Sequence, residues 1–152
     1  MGQYFPSQDE LHRVMRLFLT RASEHGVVGP KLQQADMVVR LSTWDPEANV
    51  TLHLGDPADG GRRFLTFQID DDCALADHKT PHATFAQSAD FFHRFWCGFE
   101  SPGIAIVNGM IRATGNYLRA LVLFPAIRPL FRTYRESLEE SGFAHLILGD
   151  HR

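Results

Sequence analysis

The sequence predicts an α+β domain, on three observations. Apolar and polar residues alternate between about 36 and 70, which marks strands; apolar residues recur at helical spacing before and after that stretch; and "VNGMIRATGNYLRALVLFPAIRPLFRTY" (107–134) carries more apolar surface than one helix face can use. A chain of 152 residues is long enough to bury one core, so a single domain over 1–152 is expected.

The elements follow in order. Ser7 and Glu10 form a capping-box pattern, and Leu11, Met15, Phe18 and Ala22 repeat at helical spacing, predicting a helix over about 8–25 that Gly26 would stop in a left-handed conformation. Gly29 and Pro30 read as a break. "DMVVRLSTW" (36–44) then sets Met37, Val39 and Leu41 on one strand face and Val38, Arg40 and Ser42 on the other. Asp45-Pro46 turns the chain, "NVTLHLG" alternates, "DPADGG" supplies turn chemistry and "RFLTFQID" alternates again, so three strands joined by short turns form an antiparallel meander.

"HATFAQ" (82–87) reads as a fourth strand. Ser88 or Asp90 can cap the helix that follows, which carries Phe91, Phe92, Phe95 and Trp96 and ends at Gly98. Ser101 with Pro102 opens a short helix that stops at Gly109, "MIRATG" returns as a fifth strand, and Asn116 opens a final helix toward Glu140. If Tyr117 to Ser137 were helical throughout it would be about 30 Å long at 1.5 Å per residue. Pro125 and Pro129 must kink or interrupt it.

Composition excludes several function classes. A net charge of −3 with no run of lysine or arginine gives no nucleic-acid footprint. The longest apolar run, Ala120 to Ile127, is shorter than the roughly 18 residues of a membrane span, and no basic region followed by an apolar signal core opens the chain; a cytoplasmic location is expected. Cys73 and Cys97 form no CxxC pair and read as buried thiols, and no GxSxG, GxxxxGK[ST] or GxGxxG pattern occurs.

Candidate chemistry is sparse. His78 and His82 with Asp70, Asp71, Asp72 and Asp77 offer nitrogen and oxygen metal ligands, but Pro81 precludes the helix that would align both imidazoles, so a solvated loop is the reading and no metal or cofactor is expected. His93 and Cys97, at i and i+4, come within reach of each other as a thiolate and its base would, yet no third group or oxyanion hole accompanies them. The final segment says more. Leu118, Leu121, Val122, Phe124, Ile127, Leu130, Phe131 and Tyr134 cover more than one helix face, as in a thick core helix or the lining of a cavity for a long apolar ligand. Arg119, Arg128, Arg132 and Arg135 flank that surface. Such a basic stripe suits either solvent or an anionic lipid surface, and the apolar side suits a second copy in a homodimer.

From Asp36 onward the succession of motifs resembles the sterol carrier protein 2 family of lipid-binding domains. "PHATFAQSADFFHRFWCG" is similar to its strand running into a capped apolar helix, and "GIAIVNGMIRATGNYLRAL" to its short helix, glycine-fenced strand and following helix; the resemblance covers about 35–137. It implies a mostly antiparallel five-stranded sheet covered by helices, with a hydrophobic tunnel for sterols, fatty acyl chains or other lipids and no chemistry of its own. The implied lining residues are Phe67, Phe85, Phe91, Phe95, Phe99, Ile104, Leu118, Leu121, Val122, Phe124 and Phe131, with Asn108, Asn116, Tyr117 and Arg119 at the mouth. The strand around Arg112 lacks the lysines common in the family and the chain ends "GDHR" rather than in a peroxisomal tripeptide, which favours a bacterial-type free-standing member. Two further readings stay open: a factor that presents an apolar intermediate, such as an isoprenoid quinone precursor, to biosynthetic enzymes, and an enzyme acting on an apolar substrate through His93, His82 or the aspartates.

Overall fold

The computed structural model describes residues 4–55, 64–69 and 81–148; Cys73, His78 and the aspartates at 70, 71, 72 and 77 lie outside them. Helix α1 (Gln8–Ser23) begins as the capping pattern requires, with Ser7 Oγ accepting from the Glu10 amide at 3.3 Å. It ends two residues early, at Ser23, and Gly26 is not left-handed. The His25 side chain takes over instead, Nδ1 accepting from the Val27 and Val28 amides at 3.2 and 3.1 Å, and a second helix, α2 (Val28–Ala35), starts there. The expected break at Gly29-Pro30 is thus the first turn of a helix, where proline's missing N–H has no intrahelical partner to lose. Gly29 is required by contact: a Cβ there would stand 2.0 Å from the Phe64 ring.

Strands β1 (Val38–Trp44), β2 (Ala48–Leu54) and β3 (Leu65–Ile69) form the antiparallel meander. β4 (Ala83–Ser88) returns parallel to β1, and β5 (Arg112–Gly115) pairs antiparallel with β4, giving one mixed, mostly antiparallel sheet of order β3-β2-β1-β4-β5. His82 fastens the start of β4: its amide donates to Val38 O and its Nδ1 accepts from the Val38 amide, both at 2.8 Å, while its carbonyl accepts from the Asn116 amide at 2.7 Å. Gly115 (φ +74°) passes so close to that carbonyl that a Cβ would lie 2.4 Å from the oxygen.

Helix α3 (Ala89–Trp96) is capped by Ser88, whose Oγ accepts from the Phe91 amide at 3.0 Å, and Gly98 at φ +94° follows its end. α4 (Pro102–Val107) carries proline at its start. The final segment is not one helix. It divides into α5 (Tyr117–Leu121), a 3-10 turn (Phe124–Ile127) and α6 (Pro129–Glu140), with Pro125 and Pro129 each seated at the opening of a new piece. Each proline is therefore accommodated where no intrahelical donor is needed. The buried core runs from Phe5, Leu11, Met15 and Phe18 through the inner sheet face to Phe91, Leu130, Tyr134 and Leu138.

Candidate functional site

Between the inner face of the sheet and the helices lies a cavity of about 120 Å³. Its floor is Val39 and Leu41 of β1, Leu52 and Leu54 of β2, Leu65 of β3, and Phe85 and Gln87 of β4. These side chains meet because β-strand residues two apart share a face and the register brings the strands side by side, Leu41 opposite both Val50 and Phe85. Phe18, Leu19 and Ala22 of α1, Leu32 of α2 and Phe91, Phe92, Phe95 and Trp96 of α3 close one side; Ile111, Ala120, Leu123, Phe124, Ile127 and Leu130 close the other.

Nearly all of this wall is apolar. A cavity large enough for one water needs only about 10–15 Å³, so the space is more than a packing defect; it is also smaller than the roughly 300–1,000 Å³ of sites that enclose a drug-sized ligand. A long ligand therefore has to displace part of the wall.

The sequence-predicted residues divide. Phe85, Phe91, Phe95 and Phe124 line the cavity, with the Phe95 ring 5.7 Å from Phe124 and Phe85 6.1 Å from it. Phe67, Leu121 and Phe131 are half-buried and outside the lining, Phe131 packing edge-on to Phe95 at 5.7 Å. Ile104, Leu118, Val122 and Phe99 point to solvent, with 64%, 66%, 72% and 45% of their surface exposed. The outward orientation has a simple cause. α4 and α5 are about one turn long, and their inward positions go to Ala105 and Ala120, so the larger neighbours face outward.

Of the expected mouth residues, Asn108 and Asn116 are exposed and Tyr117 half-buried, while Arg119 donates to the carbonyls of Ala35 and Asp36 at 2.6 and 3.2 Å and ties α5 to the end of α2. Arg128, Arg132 and Arg135 are exposed, and Arg132 pairs with Glu136 at 3.4 Å. Reading the sequence missed Leu19, Leu32, Leu41, Leu52, Leu54, Leu65, Ile111, Leu123 and Gln87; the inward alternation of β1 and β4 is the signal that could have found Leu41 and Gln87.

His93 and Cys97 do meet, Nε2 and Sγ standing 3.7 Å apart, but their surroundings suit packing rather than a nucleophile. The buried imidazole donates from Nε2 to the Leu146 carbonyl and accepts at Nδ1 from the Tyr134 hydroxyl, both at 2.8 Å. Burial holds the His93 pKa below its ordinary value and pushes the Cys97 thiol and the Tyr134 phenol up, so each neutral form is favoured. With its Nε2 proton engaged by a carbonyl, the ring presents no base to the sulfur. Among the described residues no cluster of three or more His, Cys, Asp or Glu side chains could hold a metal ion, and no helix is long and apolar enough to cross a membrane.

No family model and no curated protein matches the sequence. Solved structures do. A crystal structure of sterol carrier protein 2 superposes with a TM-score of 0.56 at 14% identity, over 81% of this chain and 94% of that one. Sterol carrier protein 2 from Yarrowia lipolytica, in its apo form, gives 0.53 at 14% identity, over 88% and 95%. A stereoselective inverting sec-alkylsulfatase from Pseudomonas sp. gives 0.50 at 14% identity over 64% of this chain, which spans only 14% of the length of that enzyme. The architecture is therefore that of a helix-covered α+β domain. More narrowly, it is the sterol carrier protein 2 fold, spanned from near one end to the other.

Proposed function

We propose that this chain binds an apolar ligand between its sheet and helices and exchanges it with a membrane surface, without chemistry of its own. The observation that carries the reading is the cavity wall, built almost entirely of leucine, phenylalanine and other hydrocarbon side chains. A lipid leaving a bilayer loses about 0.8 kcal/mol of burial for each methylene exposed to water, a cost that such a wall offsets. That similar folds are named for carrying sterols agrees with this reading.

Exchange needs a place to meet the bilayer, and the surface over α4 and α5 is suited to be one. Ile104, Val107, Met110, Leu118 and Val122 are exposed on or beside α4 and α5, whose neighbourhood lines the cavity. Residues 101–135 hold five arginines and no carboxylate, in a chain whose net charge is −3, which leaves −8 for the remainder. Apolar side chains among cations suit an anionic leaflet. A self-association through the same face would set like charges against each other.

The binding half is tested by displacement of a fluorescent fatty acyl probe. Leu123→Asp places a charge in the wall and should abolish binding in a variant whose circular dichroism is unchanged; undiminished affinity would sink the assignment of this cavity. The docking half is tested by co-sedimentation with phosphatidylglycerol vesicles, which should exceed that with phosphatidylcholine vesicles at least tenfold and disappear in Val107→Asp/Val122→Asp.

A further inference from the structure

Gln87 is an exception in the cavity wall. It follows Ala83 and Phe85 on the inward face of β4, is 5% exposed, and lines the cavity among side chains that, apart from the Trp96 indole, have no N–H or O–H to offer. Several other buried polar side chains are engaged: Ser23 donates to Thr20 O at 2.7 Å, Thr43 to Pro46 O at 2.9 Å, Ser137 to Thr133 O at 2.8 Å, and His93 uses both nitrogens. Among the described residues no hydrogen bond engages the Gln87 carboxamide, whose atoms keep a little accessible surface. A buried amide left unmatched is unfavourable, and a hydrocarbon ligand would leave it so.

We infer that Gln87 anchors the polar end of the ligand, which is then an apolar molecule bearing one neutral oxygen function: an alcohol, ketone or ester. The carboxamide offers two N–H donors and a carbonyl acceptor, so it serves either a hydroxyl or a carbonyl. An ionised carboxylate is disfavoured, because no lysine, arginine or histidine lines the cavity and a desolvated anion there would have no counterion. The inference rests on the proposed occupancy of this cavity and specifies which lipid chemistry fills it.

The test uses ¹⁵N-labelled protein titrated at pH 8 with 1-octanol, sodium octanoate and toluene, the last a hydrocarbon control. The expected result is at least tenfold tighter binding of 1-octanol than of octanoate. The Gln87 side-chain NH₂ signals should shift with 1-octanol more than with toluene. In Gln87→Leu, 1-octanol should weaken about tenfold while toluene keeps its affinity. Equal binding of octanoate and octanol, or NH₂ signals that respond alike to octanol and toluene, overturns the anchor while leaving the cavity occupied. A wild-type protein that binds none of the three overturns the cavity reading and the anchor with it. The signals of the wild-type side chain keep the question decidable should Gln87→Leu fail to fold.

Discussion

The two sides of the cavity are built to different thicknesses. On one side, α1, α3 and α6 interlock aromatic rings, Phe18 lying 4.8 Å from Trp96 and 5.1 Å from Tyr134, and Phe95 4.9 Å from Trp96, with Phe5, Leu11 and Met15 filling the space behind. On the other, α4, α5 and the 3-10 turn are one layer deep: Ala105 and Ala120 face inward and Val107 and Val122 outward. The contrast teaches that rigidity and access are assigned to different elements. A wall whose side chains are surrounded on all sides resists opening, whereas short helices with few buried contacts open at low cost.

The comparison can be broken most directly in the thick wall. Phe18→Ala should cost about 3–5 kcal/mol in urea unfolding, since its ring is 1% exposed and touches two other aromatics. A loss below about 1 kcal/mol would mean that this side is as loosely packed as the other.

In the turn between α4 and β5, Gly109→Ala should cost about 1–2 kcal/mol, for its left-handed backbone alone, because nothing lies within 4 Å of the added methyl. Gly115→Ala should cost more, since the methyl also meets the His82 carbonyl. Equal losses would show that the thin wall yields even where it is anchored to the sheet.

A pH experiment sharpens the contrast further. The folded pKa of His93 is depressed by burial, while the unfolded side chain titrates near 6.5, so the unfolded state takes up the proton first. The stability of the neutral pair with Tyr134 is intact above about pH 6.5 and is lost as pH falls toward the folded pKa. The urea midpoint should therefore drop more steeply between pH 7 and pH 5 in the wild type than in His93→Gln; parallel profiles would remove His93 as the cause. Smallest of all, Val107→Ser should change stability by no more than about 0.5 kcal/mol, as its side chain is exposed, and yet lower vesicle binding.

Much of the fold could be read in advance because its signals are local. Alternation places β1 to β4, Ser88 fixes the start of α3, and Pro125 and Pro129 mark where the last segment divides. α2 escaped because Gly29-Pro30 signals a break when read along the chain, whereas the pair is helical once His25 caps the turn and Phe64 packs against the glycine. The site was legible in part. Phe85, Phe91 and Phe95 lie on elements long enough to have an inward face, but five or six residues of α4 or α5 contain no period from which to choose one. The lining from α1, α2 and β1 to β3 depends on which elements meet across the interior, a property of the packed whole.

The brevity of β5 bears on how the molecule behaves among its own copies at high concentration. A sheet border invites another chain to extend the ladder when it is long, flat and apolar. This one pairs only Arg112 to Gly115 with β4, carries an exposed arginine, and turns sharply at the glycine whose φ is +74°. A border of that kind offers an incoming strand few amides and no straight run, so growth of the sheet from one copy to the next is blunted at this edge.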